Sequence, residues 1–84
     1  MSASILIVDD EEIVVHSTVR ILESRGYSLQ TARDGVEALQ KVDEFPFDVV
    51  ILDIMMPRMD GVEVLRRLKE AHPDVEVIMF TGLS

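Results

Sequence analysis

Apolar residues recur along the chain in two alternating rhythms. Residues 5–8, 49–52 and 75–80 form short runs dense in β-branched side chains, and residues 27–32 mix polar with apolar positions. These runs predict four strands. Between them, Val14, Val15, Thr18, Ile21 and Leu22, then Val36, Leu39 and Val42, then Leu65, Leu68 and Ala71 fall at helical spacing and predict three helices.

Each expected helix opens on an Asp followed three residues later by a Glu: Asp9 with Glu12, Asp34 with Glu37, Asp60 with Glu63. Such a pair can satisfy the orphan N–H groups of a first turn reciprocally. Asp-Gly-Val-Glu occurs twice, at 34–37 and 60–63, and recurrent capping explains the repetition as readily as duplication does. Gly26 suits the position just beyond the first helix, and Pro73 follows the third.

Strands alternating with helices imply βαβ crossovers, hence an α/β domain with a doubly wound parallel sheet and helices on both faces. The half-polar second strand suits an edge, while the first and third are apolar on both faces and suit the centre. The fourth also reads as an interior strand, yet the sequence stops four residues after Phe80. It is expected to present an exposed apolar edge, through which the chain self-associates.

Length and composition narrow the picture. A chain of 84 residues makes one domain at most and buries only roughly 60–65% of the surface its unfolded form exposes. With 48% hydrophobic and 29% charged residues, a folded core is expected in place of disorder. There is no cysteine, which removes disulfides, thiolate metal sites and cysteine nucleophiles. The longest apolar run is far short of a bilayer span, and residues 1–4 are too brief for a secretory leader. The expected location is the cytoplasm, without membrane association. Sixteen acidic residues against eight basic ones give a formal charge of −8, which repels a phosphate backbone and argues against direct nucleic-acid binding.

The candidate chemistry is carboxylate chemistry. In an open parallel sheet the ligand site lies beyond the carboxyl ends of the strands, where strand order reverses. Asp9 and Asp10 end the first strand and Asp53 the third, so three carboxylates are expected in one small region. Clustered carboxylates raise each other's pKa or recruit a cation, and an all-oxygen site with few protein ligands suits Mg²⁺. Asp9, Asp10, Glu11 and Glu12 could also be a solvated acidic turn favoured by a helix dipole. Asp53 argues for the site, because it follows Val-Val-Ile-Leu directly and has no helix of its own to cap.

Asp9-Asp10 after an apolar strand, Thr31-Ala32 with Asp34-Gly35 and Glu37-Ala38-Leu39, Asp53-Ile54-Met55-Met56-Pro57 with Met59-Asp60-Gly61, and Thr81-Gly82 occur in that order over essentially the whole chain. Together they resemble the response regulator receiver domain of two-component signal transduction. The resemblance implies a flavodoxin-like fold with strand order 2-1-3-4. That order is taken over from the family, whose chemotaxis member is a standard example of 2-1-3-4-5. It further implies that Asp53 accepts a phosphoryl group from a kinase phosphohistidine, with Mg²⁺ as cofactor and a sensor histidine kinase or phosphotransfer protein as partner. Asp10, Asp53 and the backbone carbonyl of Met55 would be direct Mg²⁺ ligands, with Asp9 acting through water or through those ligands. Thr81 would supply a hydroxyl that bonds a phosphoryl oxygen and swings inward on activation. Met55 and Leu83 would flank the water that removes the phosphoryl group.

The family pattern continues beyond Thr81 with a fourth helix, a fifth strand ending in Lys and Pro, and a fifth helix, none of which is in this sequence. Residues 1–84 are therefore expected to form a single receiver domain incomplete at its C-terminus. Self-phosphorylation and autodephosphorylation are expected only of the complete domain, and the chain is not expected to be an enzyme in its own right. The missing Lys and output face leave a phosphorylation-independent interaction module, or an inactive fragment, as the alternative. A flavin carrier is disfavoured because four acidic residues stand where its phosphate loop would be. A haloacid-dehalogenase-type phosphatase is disfavoured because Asp9-Asp10-Glu11 replaces its Asp-x-Asp. His16 and His72 are expected on helix surfaces away from the carboxylates, and Met55, Met56 and Met59 are read as packing or covering residues.

Overall fold

A computed structural model describes residues 3–56 and 60–80. The elements run β1 (Ser4–Val8), α1 (Glu12–Glu23), β2 (Ser28–Ala32), α2 (Gly35–Glu44), β3 (Val49–Asp53), α3 (Gly61–Ala71) and β4 (Glu76–Phe80). All strand pairings are parallel and the order is β2-β1-β3-β4, as expected for a doubly wound sheet. Among the described residues no helix is long and apolar enough to cross a membrane.

Two of the three Asp residues cap their helices, and one of those pairs is reciprocal. Asp34 accepts from the Glu37 N–H at 2.9 Å, and Glu37 reaches back to the Arg33 N–H at 2.8 Å. Asp60 accepts from the Glu63 N–H at 2.9 Å, but the Glu63 carboxylate turns to Arg66 and Arg67 along the same helix. Those two guanidinium groups hold the Glu63 carboxyl at about 2, below the usual range. The third pair does not form. The cap of α1 is Glu11, whose side chain accepts no capping bond, because Asp9 is still bonded to the sheet through its N–H to the Ala32 carbonyl. Gly26 adopts φ +87°, two residues after the Ser24 cap of α1 and one later than expected. That left-handed conformation is one glycine reaches without strain.

The core lies between the sheet and the α2–α3 pair. Leu6, Val8, Val50 and Leu52 from the strands meet Ala38 and Val42 of α2 and Val64 and Leu68 of α3. The helical stripes are shifted from the expected ones. Ala38 and Val64 are fully buried, while Val36 and Ile21 are exposed. On the opposite face α1 packs over β1 and β2 yet buries none of its own residues completely. Coverage thins along that face: Ile7 is 1% exposed, Ile51 is half-buried, and Ile78 on β4 is 56% exposed. The fourth strand, which reads as interior in sequence, is therefore an edge among the described residues.

Candidate functional site

Strand register builds the site. Val8 pairs with Leu52 across β1 and β3, so the next residues, Asp9 and Asp53, stand level at the carboxyl edge. Both are nearly inaccessible, at 1% and 2% exposure. Each carboxylate is oriented by the N–H two residues further on. The Glu11 N–H donates to Asp9 Oδ1 at 2.9 Å, and the Met55 N–H donates to Asp53 Oδ1 at 3.0 Å. This local loop is one that aspartate side chains favour at turns. Asp10 is exposed at the rim.

Carboxylate oxygens of Asp9, Asp10 and Asp53 lie within 4.8 Å of one another. Burial is the main reason the Asp9 carboxyl is pushed up from 3.8 to about 6. The Glu11 N–H pulls the other way, and the charge of Asp53 adds to the rise. Asp9 Oδ2 is buried with no hydrogen-bond partner, a costly arrangement for a carboxylate. An orphaned anionic oxygen inside a cluster made only of oxygen donors fits a hard cation such as Mg²⁺, and the open rim at Asp10 leaves room for water ligands. Met55, two residues beyond Asp53, is 70% exposed.

A recess of about 190 Å³ continues from the acidic pair and is lined by Asp9, Asp10, Glu12, Val15, His16, Thr31, Ala32 and Arg33. His16, exposed on α1 as expected, lines the same recess as Asp9 and Asp10. Helical spacing places it one turn above Glu12, and only the lateral position of α1 reveals which way that turn faces. His72 is far from the cluster in the fold and pairs with Asp43 at 2.8 Å. Thr81, Pro57, Met59, Gly82 and Leu83 lie outside the described residues.

The chain is thus an α/β protein whose doubly wound parallel sheet gathers three carboxylates where its strand order reverses. The chain belongs to the response regulator receiver domain family, whose pattern matches residues 5–84. It is 45% identical over 85 residues to the sensor kinase CckA of Brucella abortus (strain 2308), covering 99% of this chain and 9% of that protein. It is 44% identical over 82 residues to the response regulator MprA of Mycobacterium bovis (strain BCG / Pasteur 1173P2), covering 98% of this chain and 36% of that protein. It therefore spans well under half the length of either relative. Among solved structures, the response regulator TrrA of Thermotoga maritima in complex with Mg²⁺-BeF aligns with TM-score 0.92 at 38% identity. The match covers all of this chain and 72% of that one. The complex of the histidine kinase ThkA with TrrA aligns with TM-score 0.91, at the same identity and coverage.

Proposed function

We propose that this chain carries the phosphoacceptor of a two-component relay, with Asp53 taking a phosphoryl group from a phosphohistidine on a histidine kinase or phosphotransfer protein. One observation carries the reading: the Asp53 carboxylate is buried at the sheet edge, oriented by the Met55 N–H, and within reach of Asp9 and Asp10. A TrrA structure that contains Mg²⁺-BeF and another that contains a histidine kinase support it by similarity.

In the transfer, a carboxylate oxygen of Asp53 attacks phosphorus in line, the P–N bond breaks, and the imidazole leaves with the bonding electrons. Asp10, Asp53 and the Met55 carbonyl would hold Mg²⁺, which when bound neutralises charge between the acidic cluster and the incoming phosphoryl oxygens. Asp9, protonated more readily than an ordinary aspartate, moderates the repulsion while no cation is present. Thr81 takes the hydroxyl role that the family pattern gives it, bonding a phosphoryl oxygen. The chain is read as a signalling module located in the cytoplasm and not as an enzyme acting on a small substrate.

Self-association of the 84-residue chain through β4 is part of the same proposal. The Glu76 N–H bonds the Asp48 carbonyl and the Phe80 carbonyl accepts from Ile54. By parallel alternation the backbone groups of Val77 and Met79 then face away from β3. A second copy in antiparallel register, Val77 opposite Met79 with Ile78 at the two-fold axis, would satisfy both residues in both chains and cover the exposed Ile78.

A Mg²⁺ titration tests the site. Binding is expected to weaken by about tenfold or more in Asp10→Asn and in Asp53→Asn, since each removes an anionic ligand from a site that relies on charge. Unchanged affinity in both variants would contradict the assignment.

A further inference from the structure

Gly61 opens α3 at a point where two backbones nearly touch. A Cβ placed on it would lie 2.4 Å from the Ile54 Cα and 2.7 Å from the Asp53 carbonyl oxygen, with Ile54 Cγ2 at 3.0 Å. The two closest atoms are backbone and cannot swing aside as the tip of a flexible side chain can. At the same contact the Gly61 N–H donates to the Ile54 carbonyl at 3.2 Å. The Ile54 N–H in turn donates to the Phe80 carbonyl at 3.0 Å. Ile54 is thus gripped by β4 through its N–H and by α3 through its carbonyl. It sits between Asp53 and Met55, the residue whose N–H orients the Asp53 carboxylate.

We infer that Gly61 is a positioning residue for the acidic centre: its missing side chain lets α3 clamp the Asp53–Ile54 peptide and so fixes the Asp53 carboxylate relative to Asp9 and Asp10. The inference rests on the reading of this cluster as a cation and phosphoacceptor site. A methyl group at Gly61 has to push α3 away from the end of β3, and the displaced atoms include Asp53's own carbonyl. A site of this kind tolerates only about half an ångström of displacement in its supporting groups. A glycine needed for packing alone would act differently, since its loss would lower stability without a selective effect on the carboxylates.

Calorimetric titration with Mg²⁺ alone separates the two roles when applied to the unchanged chain, Gly61→Ala and Leu68→Val. Leu68 is fully buried in the middle of the same helix, so trimming it weakens α3 without touching the clamp. Gly61→Ala is expected to weaken Mg²⁺ binding by about tenfold or more, the scale seen when a supporting group around a metal site is lost. Leu68→Val, at a comparable fall in melting temperature, should leave affinity within about twofold, as uniform loss of stability does not select the site. Equal affinity in Gly61→Ala and the unchanged chain, or equal weakening in both variants, overturns the inference. No Mg²⁺ binding by the unchanged chain overturns the functional reading and the inference with it.

Should Gly61→Ala fail to fold, amide exchange in the unchanged chain gives the same answer by linkage. A clamp that favours Mg²⁺ binding must itself be favoured by Mg²⁺ to the same degree. Saturating Mg²⁺ should then slow exchange of the Gly61 amide more than that of His72, which donates to the Leu68 carbonyl at the far end of α3. Equal slowing of the two amides, or none, overturns the inference.

Discussion

Asp9 and Asp53 occupy equivalent positions at the ends of neighbouring strands, yet they are asked to do different work. Asp9 holds its proton to about pH 6 when no cation is bound, chiefly because it is buried and secondarily because Asp53 lies beside it. A folded-state pKa above the unfolded value means the native chain binds the proton more tightly. The associated stability is therefore complete below about pH 3.8 and is lost as pH rises through about 6. Thermal melts without divalent cation should show stability falling across that window. Asp9→Asn, which keeps an acceptor for the Glu11 N–H, should remove that fall and be more stable at pH 7 by on the order of 2 kcal/mol. A flat profile in the unchanged chain would contradict the burial of this carboxylate beside Asp53. Met55 makes a second prediction. Its side chain, two residues beyond Asp53, is exposed and is a thioether, too weak an acceptor to orient water by hydrogen bonding. In a chain extended to the full family length, Met55→Asn should speed loss of the acyl phosphate, measured as its half-life. An unchanged or slower rate would count against that role.

Helix starts show how far local sequence carries the fold. Asp34 and Asp60 cap α2 and α3 as their spacing from Glu37 and Glu63 predicts, so each change to Ala should cost about 1 kcal/mol in denaturant unfolding. Glu11→Ala should cost close to nothing, because that cap accepts no bond; losses of similar size at all three positions would contradict the asymmetry. The identical Asp-x-x-Glu signal at Asp9 misleads for a reason outside the local sequence. The register of β1 against β3 holds Asp9 level with Asp53, and a residue committed to the sheet cannot also cap the helix. The four strands, the edge place of β2 and the meeting of Asp9, Asp10 and Asp53 could be read from apolar runs and strand polarity, whereas the full strand order came from the family resemblance. Which helical residues reach the core could not. Ala38 and Val64 carry α2 and α3 inward, and their burial depends on how closely each helix approaches the sheet. His16 on the wall of the recess and the contact at Gly61 likewise depend on the placement of α1 and α3, which no single segment specifies.

Taken as a molecule, the chain covers one face of its sheet well and the other unevenly, with Ile78 most exposed where the edge strand lies. Sedimentation at micromolar concentration should show a dimer or larger species for the 84-residue chain. Ile78→Lys should shift it to monomer by placing a charge on the edge. A monomer at all concentrations, with a cooperative melt and no dye binding to apolar surface, would contradict pairing through β4. The central claim is that Asp53 accepts a phosphoryl group with the help of a cation held by its neighbours. Its most direct test is to incubate a chain extended to the full family length with acetyl phosphate and Mg²⁺, then locate the modification by peptide mass spectrometry. An acyl phosphate on Asp53, labile to acid and alkali, dependent on Mg²⁺ and absent from Asp53→Asn, is the predicted result. No labelling of the extended chain, which would favour a phosphorylation-independent interaction module, or labelling that persists in Asp53→Asn, would contradict it.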